Sequence, residues 1–173
     1  MLNQNRYVCQ LATINDLNSF WEEEIKENPD NALYHMTKYQ YINELKRKTR
    51  ITYVGKINNE IISTATVIIE KNGLLNEAKS SKDLINSSRC FLCGVKTKKE
   101  YENKGYFSKL YKFIEKDIKK RGFKEISLSV DISITRNMII YFHYNYINYI
   151  RTEVKKDKNN NTFYFNYYYK VIT

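Results

Sequence analysis

Proline, glycine and cysteine are scarce in this chain of 173 residues, which contains one, five and three of them respectively. The single proline and the few glycines leave no segment that looks like a linker, and the sequence has no internal repeat. Residues 1–173 are therefore expected to form one domain. A domain of this length buries roughly 70% of its unfolded surface, so its core does not require disulfides.

The three cysteines, Cys9, Cys90 and Cys93, are an odd and sparse set. Such a set is typical of a reducing compartment, and we expect a cytoplasmic protein. The first residues lack the basic and apolar regions of a signal peptide. No stretch is apolar and long enough to span a bilayer, so we expect no membrane partner.

Histidine is also scarce, and the two histidines, His35 and His143, are far apart in the sequence. Cys90 and Cys93 form a C-x-x-C pattern, but they fall in a predicted strand and no second pair accompanies them. Zinc takes four ligands in a closed geometry, and a redox dithiol favours a helix N-terminus. The sequence therefore predicts no metal site, and no Ser-His-Asp or Cys-His arrangement stands out.

Acidic residues are outnumbered by basic ones, and the formal net charge is +10. A basic chain can bind nucleic acid or an acidic ligand. The lysines are spread along the chain, and no block interleaves arginine with aromatic residues. A solvated basic surface is the favoured interpretation, and a nucleic-acid partner is the weaker alternative.

Hydrophobic periodicity predicts the element order β-α-α-β-β-β-α-β-α-β-β. Thr13 and Asp16 have the spacing of a capping box and start the first helix, and Gly122 ends the third. The polar, weakly patterned segment Lys71–Ser88 is expected to be a long excursion. The predicted strands are Arg6–Leu11, Ile51–Ile57, Glu60–Glu70, Arg89–Val95, Ile126–Asp131, Ile147–Val154 and Thr162–Val171, and the predicted helices begin near Thr13, Leu33, Phe107 and Asn137.

The most informative stretch runs from Gly94 to Leu110 and has the sequence GVKTKKEYENKGYFSKL. It is predicted to contain a strand end, a charged loop with one glycine, Gly105, and the start of an amphipathic helix. Free backbone N–H groups at a helix N-terminus bind anions, and Lys104 lies beside the glycine. The surrounding unit, Arg89 to Asp131, implies a right-handed parallel crossover in an otherwise antiparallel sheet. The sequence therefore predicts a phosphate-bearing ligand at this loop.

A second motif lies downstream, where Ile140 and Tyr141 are followed by three residues and then by Asn145 and Tyr146. Together with Gly94–Leu110, it resembles the GNAT superfamily of acetyl-CoA-dependent N-acetyltransferases, in its small bacterial single-domain form. The first resembles the family loop V-x-T-x-P-E-Y-R-G-K-G-Y-x-S-x-L, and the second resembles a helix ending in L/I-Y-x-x-x-G-F/Y. The family also has a stricter loop signature, Q/R-x-x-G-x-G/A, which the chain fits at Gly105. The chain departs from this signature at Glu102, where Gln or Arg is usual, and at Phe107, where a small residue is usual. It departs from the second motif at Asn145, where Gly is usual. The matching residues are Val95, Thr97, Glu100, Tyr101, Lys104, Gly105, Tyr106, Ser108 and Leu110 in the first motif, and Ile140, Tyr141, Asn145 and Tyr146 in the second.

This resemblance implies an α/β protein of the α+β type. Its GNAT fold would have a mixed, mostly antiparallel sheet of six to seven strands, flanking helices and a splayed pair of parallel central strands. It also implies acetyl-CoA as the co-substrate. The strand residues expected to pair with the pantetheine arm are Val95, Lys96 and Thr97, and the loop residues expected around the pyrophosphate are Asn103, Lys104, Gly105, Tyr106, Phe107 and Ser108.

By the same resemblance Tyr141 is the general acid that protonates the departing CoA thiolate. An ordinary tyrosine pKa of about 10 keeps the phenol protonated at neutral pH. The general base is left open between Glu60, Glu70, Asp131 and a water held by Ser129. For the acceptor side, the two N-terminal helices offer Tyr34, His35, Tyr39 and Tyr41, for most of which a packing role is favoured.

The expected reaction is the direct attack of a primary amine, on a small molecule or a peptide, on acetyl-CoA in a ternary complex. Two alternatives stay open: acetylation of aminoacyl-tRNA, and a non-catalytic module that binds acyl-CoA or a partner. The resemblance also allows a homodimer, because many relatives dimerise through the C-terminal strands.

Overall fold

The computed structural model describes residues 6–70, 83–157 and 159–172, which form seven strands and four α-helices. The predicted element order is confirmed, and most element ends differ from the prediction by at most about two residues. No helix in these ranges is long and apolar enough to cross a membrane. The strands are β1 Val8–Leu11, β2 Arg50–Ile57, β3 Glu60–Ile68, β4 Arg89–Thr97, β5 Glu125–Asp131, β6 Asn148–Lys156 and β7 Thr162–Val171, and the helices are α1 Ile14–Glu27, α2 Ala32–Lys46, α3 Tyr106–Lys120 and α4 Thr135–His143.

All seven strands belong to one sheet with the order β1-β2-β3-β4-β5-β7-β6. β4 and β5 are parallel neighbours joined by α3, and the other neighbouring pairs are antiparallel. The mixed, mostly antiparallel sheet with a parallel central pair is thus confirmed.

Local sequence signals fix the start of α1 and the β2–β3 hairpin. The Thr13 hydroxyl accepts a hydrogen bond from the Asp16 N–H (3.1 Å), and the Asp16 carboxylate accepts one from the Thr13 N–H (2.9 Å). This is the predicted capping box. Asn58 and Asn59 both have left-handed backbones, with φ of 49° and 67°. A two-residue hairpin loop requires this conformation, and asparagine tolerates it better than most residues.

The sheet separates two hydrophobic layers. Tyr53 and Val54 are neighbours in β2 and point to opposite faces. Tyr53 belongs to the larger core cluster with α3, and Val54 packs with α1 and α2. The two N-terminal helices and α3 therefore lie on opposite sides of the central strands.

The segment predicted as a polar excursion is only partly described, because residues 71–82 lie outside the described ranges. Within the rest, Leu84 and Ile85 are buried and pack against Phe91 and Tyr167. Residues 83–88 contain no helix or strand, as expected of an excursion, and their two consecutive apolar residues fill a cluster beside β4. The predicted turn at 158–161 includes Lys158, which is also outside the described ranges.

Candidate active site

The two parallel strands separate halfway along β4. Their pairing ends at Leu92 and Leu128, yet β4 continues beside β3 to Thr97 and β5 continues beside β7 to Asp131. The edge of β4 that faces β5 therefore has no strand partner beyond Leu92. This separation opens a cleft in the middle of the sheet.

A bulge in β4 lies at the point of separation. Between Thr64 and Thr66 of β3 the register shifts, so that β4 contains one residue more than its partner there. Gly94 lies in the bulge with φ of +57°. A Cβ atom on Gly94 would lie 2.8 Å from the Tyr41 hydroxyl. Both the backbone conformation and the close contact explain why this position is glycine.

The loop after β4 presents unpaired backbone donors. Asn103 and Gly105 have left-handed backbones, with φ of 59° and 75°, and α3 begins at Tyr106. Among the described residues, no N–H group from Asn103 to Ser108 donates to a backbone carbonyl. Successive free N–H groups at a helix N-terminus form an anion-binding concavity. The loop is therefore suited to hold a pyrophosphate.

The cleft has a volume of about 490 Å³ and is bounded by β4, this loop, the start of α3, and α4. Of the nine residues predicted to bind the co-substrate, all except Lys104 line it, and so does Tyr141. The Lys104 ammonium lies instead over the Tyr101 ring, 5.5 Å from its centroid. The predicted residues in the lining are Val95, Lys96, Thr97, Asn103, Gly105, Tyr106, Phe107 and Ser108.

The negative charge of Glu102 is compensated by an arginine that sequence reasoning missed. The Arg136 guanidinium in the first turn of α4 lies 2.9 Å from the Glu102 carboxylate and 3.5 Å from the Asn103 side-chain oxygen. Both Glu102 and Arg136 line the cleft. The pair ties the loop to the helix that carries Tyr141. No local sequence pattern marks Arg136, because its partner is more than thirty residues away.

Phe107, the second departure from the family pattern, packs its ring against the core. Its ring contacts Tyr111 and Tyr144 with centroid distances of 5.7 Å each. The neighbouring Ser108 hydroxyl forms a 2.7 Å hydrogen bond with the Tyr144 hydroxyl. These contacts anchor the first turn of α3 to α4, while the backbone N–H of Phe107 remains available to the cleft.

Tyr141 owes its position to the way α4 ends. The N–H of Asn145 donates to the Phe142 carbonyl (2.9 Å) and the N–H of Tyr146 to the Tyr141 carbonyl (3.1 Å). Asn145 has φ of 64°, which completes a Schellman motif. The fully buried Tyr146 ring then packs edge-on against Tyr141, with centroids 5.9 Å apart. The Tyr-x-x-x-Asn-Tyr pattern thus encodes a helix end that orients the Tyr141 ring.

The protonation state of Tyr141 suits an acid. Burial raises the pKa of the Tyr141 phenol to about 12, and the nearby Cys93 thiol contributes in the same direction. The phenol is therefore protonated at neutral pH. It can donate a proton to a group that becomes strongly basic in the cleft.

Two further cavities lie on the opposite, α1–α2 side of β4. The inner pocket, about 260 Å³, has walls of Trp21, Tyr34 and Tyr41 and shares Val95 and Lys96 with the cleft. The outer pocket, also about 260 Å³, adjoins it through residues that include Phe20, Glu24 and Lys96. A molecule in the inner pocket would therefore reach the cleft beside Val95.

Of the four residues proposed for the acceptor side, two line the inner pocket. Tyr41 is buried with its ring under the Arg50 guanidinium (3.9 Å), and Tyr34 packs on Trp21. His35 and Tyr39 are exposed and line none of the three cavities. Tyr34 and Tyr41 thus both pack against neighbouring side chains and line the inner pocket.

The carboxylates considered as general base do not line the three cavities. Glu60 pairs with Lys98 (2.9 Å), Glu70 is exposed, and Asp131 accepts from the Ser133 N–H and hydroxyl. In the described ranges, the carboxylate that lines both the inner and the outer pocket is Glu24 of α1. It is buried and paired with Lys96 of β4. Sequence reasoning missed it because it stands in an acidic run that is typical of a solvated helix face.

The first cysteine of the C-x-x-C pattern packs in the hydrophobic core. Cys90 is fully buried in the α3 core, and its thiol lies 3.6 Å from the Glu125 carbonyl oxygen. Burial raises the pKa of this thiol to about 12. None of the three cysteines forms a disulfide. Within the described ranges, no three His, Cys, Asp or Glu side chains group to hold a metal ion.

Comparison with protein families gives one match, which covers more than half of the chain. The model of the acetyltransferase (GNAT) family matches residues 13–144, a range from the N-cap of α1 to the C-cap of α4. A search of the curated proteins finds no significant match to the sequence.

Solved structures share the fold at low sequence identity. An N-acetyltransferase from Staphylococcus aureus Mu50 has a TM-score of 0.71 and 12% identity over 97% of this chain and 99% of its own. The ribosomal-protein-S18-alanine N-acetyltransferase from Escherichia coli has a TM-score of 0.66 and 10% identity over 97% and 95%. An aminoglycoside 6'-N-acetyltransferase complexed with coenzyme A has a TM-score of 0.65 and 13% identity over 96% and 97%.

Proposed function

This chain belongs to the GNAT acetyltransferase family, and we propose that it acetylates a primary amine of a small molecule or a peptide by direct attack in a ternary complex. The family uses acetyl-CoA as its co-substrate. One observation carries the proposal. The cleft between β4 and β5 is lined by both the N–H-rich loop and Tyr141, and it shares Val95 and Lys96 with the inner pocket.

The residues of the cleft fit the parts of acetyl-CoA. The free N–H groups of Asn103 to Ser108 would bind the pyrophosphate. The unpaired edge of β4 from Val95 to Thr97 would give main-chain partners to the pantetheine arm. The N–H at or near Val95 would then donate to the thioester oxygen, where negative charge develops during attack.

Proton transfer completes the reaction. The acceptor must lose its ammonium proton before its nitrogen attacks, since an alkylammonium has a pKa of about 10.4. Glu24 is the carboxylate best placed to receive that proton, directly or through water. As the new C–N bond forms and the C–S bond breaks, Tyr141 gives its proton to the departing sulfur. The proton released from the new amide nitrogen then restores the phenol.

The test is a Tyr141→Phe variant assayed for CoA thiol release. Removing the acid should lower kcat by about 10²-fold, while the Kd for acetyl-CoA stays within about twofold because the N–H-rich loop is untouched. Since the pKa of Tyr141 is about 12, wild-type kcat should show no alkaline decline from this group below about pH 10.

The matched control is Tyr39→Phe, which removes a phenol from an exposed site on α2 and should leave kcat unchanged. Wild-type turnover by Tyr141→Phe would contradict the role of Tyr141. Binding of acetyl-CoA without acetyl transfer to any amine would favour the non-catalytic alternative.

An aminoacyl-tRNA acceptor is the weaker candidate. The net charge of +10 suits RNA, but the outer pocket is rimmed by four carboxylates. An RNA acceptor would show a KM that rises steeply with salt, whereas a small acceptor would show a shallow dependence.

We also propose a cytoplasmic setting, which suits three cysteines that form no disulfide.

A further inference from the structure

The side of the molecule that faces the acceptor is built to attract cations. Four carboxylates line the outer pocket, and three lysines stand among them. Two of these lysines are already paired, Lys96 with Glu24 and Lys98 with both Glu23 and Glu60. Some carboxylates of this pocket therefore have no paired lysine, although the net charge of the chain is +10.

Two of the outer carboxylates have no internal partner. Glu27, at the end of α1, and Glu100, in the short 3-10 helix after β4, are exposed and line the outer pocket. Among the described residues neither makes an ion pair or a side-chain hydrogen bond. Of the three lysines in the lining, Lys99 likewise makes no ion pair or side-chain hydrogen bond with the described residues. The outer pocket therefore carries an uncompensated negative charge that a bound cation would neutralise.

The inner pocket offers a second attraction of the same sign. The Trp21 ring packs edge-on against Tyr34 and Tyr41, with centroid distances of 5.9 and 5.1 Å, and all three rings line the pocket. Aromatic rings attract ammonium groups through their negative faces. The buried carboxylate of Glu24 lines the same pocket, where its charge is already balanced by Lys96, so the rings supply the attraction here. A protonated amine is therefore favoured as the group that enters.

The wall of the inner pocket also contains an unsatisfied hydrogen-bond donor. Trp21 is 8% exposed, and its buried indole N–H has no hydrogen-bond partner among the described residues. A buried donor without a partner is costly, and a ligand that supplies an acceptor atom removes that cost. An amine with a carbonyl oxygen close to the nitrogen can supply such an atom.

We propose that the acceptor is an amine that carries a second positive charge. Its reacting nitrogen would lie in the inner pocket beside Val95, and its second cation would lie at the outer pocket near Glu27 and Glu100. This inference rests on the acetyl transfer proposed above. The two pockets share Glu24 and Lys96, so one small molecule or the first residues of a basic peptide can occupy both.

The test compares arginine amide with citrulline amide as acceptors. The two have the same shape, the same reacting α-amine and the same carbonyl, but citrulline replaces the guanidinium with a neutral urea. We expect kcat/KM to be about tenfold higher for arginine amide, since each exposed ion pair contributes about two- to fivefold. Raising the ionic strength should reduce this preference through screening.

The Glu27→Gln/Glu100→Gln double variant should bring the two acceptors to within about threefold of each other by losing activity on arginine amide alone. Glu22→Gln is the matched control, because Glu22 lies on α1, pairs with Lys38 (2.9 Å) and lines neither pocket. This control should keep the wild-type preference. A thermal melt of each variant checks that the fold is retained.

Equal kcat/KM for both amides in the wild type, or a preference that survives in the double variant, overturns the inference and leaves acetyl transfer intact. Transfer to other amines but to neither amide also overturns the inference alone. Transfer to no amine at all overturns the proposed function together with it.

Discussion

At the scale of single residues, Asn145 shows how a motif encodes geometry. It ends α4 with φ of 64°, where the related pattern has glycine. The left-handed conformation costs most L-residues about 1–2 kcal/mol, and asparagine pays less. The residue-by-residue match to Tyr-x-x-x-Gly-aromatic could therefore be made from sequence, since a tolerant residue stands in for glycine.

Asn145→Ala should lower the free energy of unfolding by about 1 kcal/mol, whereas Asn145→Gly should be neutral or slightly stabilising. Chemical denaturation measures both. Asn43→Ala, at an ordinary helical position in α2, controls for the loss of an asparagine and should not be destabilising in this way. Equal stabilities for the alanine and glycine variants at position 145 would contradict the assignment of a strained helix end.

Other site residues could not be predicted, and the reason is physical. Glu24 stands in an acidic run of α1 that is typical of a solvated face, and Trp21 stands on the apolar face of α1, where packing is the simpler interpretation. Arg136 is paired with a residue far away in the sequence. Side chains that act through tertiary contacts leave no local signature, whereas Gly105 and Tyr141 belong to motifs whose spacing is itself the signal.

At the scale of elements, the order of strands and helices followed from periodicity and turn residues. The point at which β4 and β5 separate could not be predicted from these signals. Pairing stops after Leu92 because the Gly94 bulge alters the course of β4 while β5 stays paired to β7. A strand pattern records which face is buried but not which neighbour is lost, so only the resemblance suggested the splay.

The contact between the loop and α4 is the element-scale feature most open to mutation. Arg136→Gln leaves Glu102 unpaired beside the expected pyrophosphate, and we predict that it weakens acetyl-CoA binding by about fivefold. Glu102→Gln should change the Kd by less than about twofold. In the double variant the loss should be smaller than in Arg136→Gln alone.

Calorimetric titration of acetyl-CoA measures these Kd values. Arg121→Gln is the control, since that arginine pairs with Asp117 near the C-terminal end of α3 and does not line the cleft. A double variant that binds as weakly as Arg136→Gln would show that Glu102 has no influence on the site.

At the scale of the whole molecule, charge is unevenly distributed. The chain is strongly basic, yet the pockets beside the cleft carry carboxylates. The composition indicated that the chain as a whole is basic, but it could not indicate that carboxylates line these pockets. The lysines and glutamates interleave along the sequence and separate only in the fold. A homodimer through the C-terminal strands stays a prediction.

The central claim also concerns the whole molecule, and it is that acetyl-CoA occupies the gap between β4 and β5. The direct measurement is amide hydrogen exchange of the full chain with and without saturating acetyl-CoA. The N–H groups from Asn103 to Ser108 have no backbone acceptors, so they should exchange quickly in the free protein and slowly in the complex. Residues in β6 should change little. Saturable binding that leaves exchange in 95–108 unchanged, or that slows exchange only elsewhere, would contradict the claim.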